Sequence, residues 1–184
     1  MRYILLTEER SMKIFLEMLL PKIFSNSIDF IIYHHEGKGD LKKSIPIKLK
    51  SLSSDETQFL VLIDQDGSDC SILKSEINKL CDVKKDVNYK IRIVCHELES
   101  WYFGDLLAID NAFSTKLSKL KNKQKFRNPD NIINAKRELK RYIGPHGQIE
   151  IAEKIADAMT ITSVHDNRSH SFHLFLKTIG FIRC

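Results

Sequence analysis

Phe59-Leu60-Val61-Leu62-Ile63-Asp64-Gln65-Asp66-Gly67 is the stretch that decides the fold. Five apolar residues in succession, without the polar alternation of a half-exposed strand, predict a strand buried on both faces in the middle of a parallel sheet. The run stops on two acids and a glycine, so the strand ends in a charged turn. Working outward, the same pattern recurs. Tyr3-Ile4-Leu5-Leu6 leads into Glu8 and Glu9, Ile28 to Tyr33 into His34, His35 and Glu36, and Tyr89 to Cys95 into Glu97 and Glu99. Between these runs, Met12, Phe15, Leu16, Leu19 and Leu20 recur at helical spacing and predict a helix over 9–24. A basic amphipathic helix ends near Leu52, and a third runs from about Ser71 to Cys81.

Strands alternating with helices over the first hundred or so residues imply right-handed βαβ crossovers and a four-stranded parallel α/β sheet with helices on both faces. After Trp101 the strand signal fades, and helices are predicted over 99–121, 130–142, 148–159 and 169–178. Residues 1–105 therefore read as an α/β core, and 106–184 as a helical extension packed on it in a single structural unit.

The 184 residues, 42% hydrophobic and 29% charged, have an ordinary globular balance. Glu8 and Glu9 end the first apolar run too early for a signal peptide, and no apolar stretch approaches a membrane span, so the expected location is the cytoplasm. Cys70, Cys81, Cys95 and Cys184 form no C-x-x-C pair, which excludes a zinc ribbon and predicts free thiols, with Cys95 in the core rather than a nucleophile. The net charge is +5, but Lys116–Arg141 holds ten Lys or Arg against Asp130 and Glu138, a local +8 that leaves −3 elsewhere. Within it Lys119, Lys121, Lys123, Lys125, Arg127, Lys136 and Arg137 are candidate nucleic-acid contacts through phosphates, with Phe126 the only interleaved aromatic. The competing reading is a solvated helix face.

In an open parallel sheet, ligands bind beyond the carboxyl ends of the strands. There this sequence places Glu8, Glu9, Asp64, Asp66, Glu97 and Glu99. Carboxylates held close together repel unless a cation neutralises them, and a hard divalent ion such as Mg²⁺, with Mn²⁺ as substitute, takes oxygen ligands. Glu8, Asp64 and Asp66 are candidate metal ligands and catalytic groups; Glu97 and Glu99 are candidates for a second metal site. The alternative is that Asp64 and Asp66 cap the following helix. At most one of His34 and His35 faces the site. His96, His170 and His173 lack a regular metal spacing, and Ser169 is the expected N-cap of the last helix.

A glutamate after the first strand and D-x-D after the third resemble the Toprim domain. More narrowly the chain resembles the small bacterial Toprim-like family called domain of unknown function 4276. That likeness rests on Thr7-Glu8, on Val61 to Asp66 with Cys70, on Glu97-Leu98-Glu99-Ser100-Trp101-Tyr102-Phe103-Gly104-Asp105, and on Arg168 to Phe172 with Phe175. Glu9 departs from the glycine usual in Toprim proteins. The resemblance implies a Toprim-type, Rossmann-like sheet and Mg²⁺-dependent breaking or joining of phosphodiesters in DNA or RNA. It also implies a setting in antiviral defence beside a separate ATPase protein. A topoisomerase needs a nucleophilic tyrosine on a further domain, and a primase needs nucleotide-binding modules, so a nuclease requires least of the chain. Two other readings remain. One is a receiver-like phosphoacceptor built on Glu8, Glu9 and Asp64, although Cys95-His96-Glu97 replaces the expected hydroxyl. The other is a non-catalytic module regulated by an ATPase.

Overall fold

The computed structural model describes residues 1–25, 28–83 and 86–181. Its first half alternates β1 (Arg2–Thr7), α1 (Arg10–Phe24), β2 (Asp29–His34), α2 (Lys38–Leu52), β3 (Thr57–Asp64), α3 (Cys70–Cys81) and β4 (Tyr89–Val94). The four strands form one sheet in the order β2-β1-β3-β4, and every neighbouring pair is parallel. The chain winds outward to β2 on one side of β1 and to β4 beyond β3 on the other. The topological switch point, where such sheets open a crevice, therefore lies between β1 and β3.

The two-residue period of the strands divides the core. Ile4, Leu6, Phe59, Val61 and Ile63 turn to the face covered by α2 and α3. Leu5, Leu60 and Leu62 turn to the opposite face, where α1 packs together with the C-terminal half of the chain. β3 is buried from Thr57 through Ile63, as its unbroken apolar run predicts. That C-terminal half is helical: α4 (Glu99–Phe103), α5 (Leu106–Phe113), α6 (Gln124–Arg127), α7 (Ala135–Ile143), α8 (Gln148–Ala158) and α9 (His170–Thr178). Lys22, in the last turn of α1, donates to the carbonyls of Ala156, Asp157 and Met159 at 2.6–2.9 Å, and so closes the C-terminal end of α8.

Several expectations need correction. The single helix expected over 99–121 is broken twice. Asp105 leaves helical geometry and caps α5 through the Ala108 N–H, and Ser114 enters the left-handed region at φ 53°. The helix expected from residue 130 begins at Ala135, because Asn128-Pro129-Asp130-Asn131 forms a separate short turn. The basic stretch is thus not one helix face, and its interleaved aromatic, Phe126, is a core residue packed against Phe103 and Tyr142. Cys70, Cys81 and Cys95 are free thiols. Cys81 is buried, whereas Cys95, expected in the core, is half-buried; burial pushes the Cys81 thiol up to about 12 and the Cys95 thiol to about 11, which holds both protonated near neutral pH. Cys184 lies outside the described residues. Among the described residues no helix is long and apolar enough to cross a membrane.

A buried polar knot fastens α9 to α4. Trp101 donates its indole N–H to Ser171 Oγ at 2.9 Å, and Asp130 accepts from Ser169 Oγ and the Ser171 N–H. Ser169 caps α9 by accepting from the Phe172 N–H, as its position before the apolar run predicts. Asn167, fully buried, donates to the Trp101 carbonyl at 2.8 Å and accepts from the Ser169 N–H at 2.9 Å. It lies so close to Gly104 that a Cβ there would stand 1.8 Å from its Oδ1.

Candidate functional site

The switch point carries the acids. Glu8 follows β1, Asp64 ends β3, and the Glu8 carboxylate accepts from the Asp64 N–H at 3.3 Å across the gap between the strands. Glu8, Glu9, Asp64, Asp66, Glu97 and Glu99 line one small pocket of about 40 Å³. That is room for about three water-sized spheres. All five acids singled out for metal binding stand here, joined by Glu9 and by one cation, Lys136.

The loop after β3 is held by its neighbour. The Gln65 N–H donates to the Val94 carbonyl and the Asp66 N–H to that of His96, while the His96 N–H donates to Gln65 Oε1. Asp66 and Gly67 are both left-handed, at φ 49° and 75°, so the chain reverses within two residues. Asp66 does not cap α3. That role belongs to Asp69, which accepts from the Ser71 and Ile72 N–H groups, and the Asp66 carboxylate instead pairs with Lys38 at 3.0 Å.

The acids divide by environment. Burial, reinforced by Glu8, Glu99 and Asp66, holds the Asp64 carboxyl well above the usual carboxylate range. Its Oδ1 is enclosed without a hydrogen-bond partner, although part of the residue remains accessible. Burial also raises Glu8, opposed by Lys38. Glu99, 6% exposed, is pushed up to about 7, chiefly by burial and against the pull of Lys136. Behind them the Tyr102 hydroxyl is buried without a partner and raised by burial and by Glu99 and Asp64. Glu97 is engaged by the backbone. Its Oε2 accepts from the Lys136 N–H at 2.8 Å and caps α7, whose own N-cap residue Asn134 provides no side-chain bond.

Hard oxygen donors with one buried oxygen unpartnered fit a divalent cation in chemistry. Yet among the described residues no three His, Cys, Asp or Glu side chains stand ready around an ion. Asp66 is turned to Lys38, and Glu97 to α7. Of the histidines, His35 is buried with Nδ1 on the Thr7 carbonyl at 2.8 Å and Nε2 unpartnered.

The basic residues disperse. Lys125 and Arg141 pair with Glu138, Arg127 donates to the Asn122 carbonyl, and Lys136 belongs to the acidic pocket with its Nζ 3.9 Å from Glu9. Lys123 and Arg137 are exposed. Lys119 and Lys121 line a different cleft together with Arg168, a residue outside the basic run that charge counting along the sequence passed over.

Glu99 makes pH a probe of this pocket. Its folded value of about 7 exceeds its ordinary 4.5, so between these values the native state holds a proton that the unfolded chain has released. Stability is therefore undiminished below about pH 4.5, falls as pH rises through the window, and levels off above about 7. The full drop is roughly 3 kcal/mol, or about 6–10 °C in Tm for a domain of this size. Thermal melts in EDTA at pH 5 and pH 8 should show it, with a clearly shallower difference for Glu99→Gln. An equal pH drop in the variant would mean that Glu99 is not the buried titrating group.

No curated protein and no solved structure matches the chain. A family described as a domain of unknown function (DUF4276) does match, over residues 7–180. That span takes in every acid of the pocket, all of the C-terminal helices and the knot that fastens α9, and the chain belongs to this family.

Proposed function

We propose that the chain is a Toprim-type, Mg²⁺-dependent phosphodiesterase acting on DNA or RNA. One observation carries the reading: acids from three strand ends meet at the switch point of a parallel sheet, around a buried Asp64 oxygen that no protein group satisfies. Glu8, Asp64 and Asp66 would hold the ion, with Glu99 behind Asp64. Bound there, Mg²⁺ would neutralise the cluster and supply charge stabilisation and an activated water to an in-line displacement. The chain's own contributions are then to hold Asp64 rigidly between β1 and β4 and to release Asp66 from Lys38. Glu8, bonded to the Asp64 N–H, stays close enough to exchange a proton with the attacking water or to act as a further ligand. The Toprim resemblance extends the proposal to an antiviral defence role beside a separate ATPase.

The second reading is a non-catalytic, ATPase-regulated module, favoured by the Asp66–Lys38 pair and by the use of Glu97 as a helix cap. Incubation with labelled single-stranded DNA, duplex DNA and RNA, with Mg²⁺, Mn²⁺ or EDTA, separates the two. The nuclease reading expects metal-dependent fragments, abolished by EDTA. Calorimetry covers a chain that awaits its partner: absence of both cleavage and Mn²⁺ binding sinks the proposal and leaves the module. A receiver-like phosphoacceptor would instead gain the mass of a phosphoryl group at Asp64 on exposure to acetyl phosphate.

A further inference from the structure

The cleft holding Lys119, Lys121 and Arg168 lies at the other end of α4 from the acids. Leu98 and Glu99, at the start of this five-residue helix, line the acidic pocket, while Gly104 and Asp105, just past its end, line the cleft. At 1.5 Å per residue the helix separates them by only about 7–8 Å. The cleft encloses about 420 Å³ and has an apolar floor from Leu106 and Leu107, the latter 59% exposed. That volume is within the range of small-ligand sites.

Its charges are arranged for an anion. Asp105 spends its carboxylate on the first turn of α5, and Asp166 accepts from the Thr162 and Ser163 N–H groups and the Thr162 hydroxyl. Lys119, Lys121 and Arg168 take part in no ion pair among the described residues, whereas Lys125, Lys136 and Arg141 all do. Arg168 is nevertheless fixed: one guanidinium N–H donates to the Lys121 carbonyl at 2.7 Å, and its backbone N–H donates to the Gly104 carbonyl. A positioned guanidinium in one cleft with two ammonium groups that form no ion pair among the described residues matches phosphate oxygens, and an exposed leucine lining the same cleft offers contact to a sugar or base.

We infer that this cleft is a phosphate-binding subsite that seats the backbone of a nucleic-acid strand, one helix length from the acidic pocket. The assignment of the strand as substrate rests on the nuclease reading; the binding itself does not.

The test is therefore made in EDTA, where no cleavage occurs. Binding of a fluorescent single-stranded oligonucleotide is titrated against salt for wild type, for K119Q/K121Q/R168Q, and for K43Q/K74Q/K79Q, which removes the same charge from α2 and α3. The cleft variant should bind at least ten-fold more weakly, with a log–log salt slope shallower by about 2, the release expected for three lost contacts to a single strand. The α2 and α3 variant should keep the wild-type slope. Equal losses in the two variants, or none in the first, overturn the inference. If R168Q lowers the melting temperature, K119Q/K121Q, which leaves Arg168 in place, carries the test with an expected slope change of about 1.4. Competition by adenosine monophosphate at equal phosphate concentration should be weak; displacement as effective as by the oligonucleotide would make the cleft a free-nucleotide site and overturn the strand assignment. Strand binding mapped to the cleft in a protein that neither cleaves nor binds Mn²⁺ would sink the nuclease reading and leave this inference standing.

Discussion

Asp64→Asn should lower metal-dependent cleavage by about 10³-fold or more, the equivalent of losing about 4 kcal/mol of transition-state stabilisation. The substitution keeps shape and removes charge, so it separates catalysis from folding. In EDTA at pH 8 the variant should melt at or above the wild-type temperature, because a buried carboxylate surrounded by Glu8, Glu99 and Asp66 has been replaced by a neutral amide. Sign and window are set by the raised folded value. The carboxylate's cost is absent at low pH, where folded and unfolded forms are both protonated, and grows as pH rises above the unfolded value. Excess Mg²⁺ should raise the melting temperature of wild type by roughly 5–10 °C if the ion is a hundred-fold above its Kd, and that of the variant hardly at all. Equal Mg²⁺ stabilisation of both proteins would place the ion elsewhere and refute the assignment of Asp64.

Gly104→Ala should cost about 3–5 kcal/mol. Gly104 has ordinary right-handed helical angles, so backbone strain is not the reason. The added methyl would stand 1.8 Å from Asn167 Oδ1, and this side chain cannot swing away without giving up its bonds to Trp101 and Ser169. Overpacking contributes about 1–3 kcal/mol, and the buried groups left unpaired contribute a similar amount. Urea denaturation is the measurement. A loss below 1 kcal/mol would show that the packing between α4 and α9 yields more easily than the geometry implies. Because α4 begins at Glu99, the variant should also disturb the acidic pocket at a distance.

What was legible in the sequence was what is encoded locally. The unbroken run Phe59–Ile63 announces a strand covered on both faces, and strand ends in a parallel sheet share one edge, so the sequence already brings Glu8, Asp64, Asp66, Glu97 and Glu99 together. What escaped depends on approach between distant segments. Asp64 and Asp66 are the caps that the sequence suggests; Asp66 and Gly67 instead form a left-handed turn, and the cap is Asp69, which sequence reading passed over. The helix expected over 99–121 breaks at Asp105 and Ser114, and Gly104, beside the first break, is met by Asn167 from a segment more than sixty residues later, a contact that no local pattern announces. Lys136 reads as part of a basic run, but the N-terminus of α7 docks against Glu97 and brings it among the acids. Phe126 reads as the one aromatic interleaved among the basic residues, and the packing of Phe103 and Tyr142 around it could not be foreseen from spacing.

The clasp of Lys22 on the end of α8 bears on how the chain is made. The joined residues are 134 to 137 positions apart, and α1 buries Met12, Phe15, Leu16 and Leu19 on the sheet face that α8 shares. During synthesis at about 5–20 residues per second, that sticky helix would leave the ribosome roughly 7–27 seconds before its partner. A lag of this length favours chaperone capture of the nascent chain, and it makes translation speed over the second half a determinant of yield.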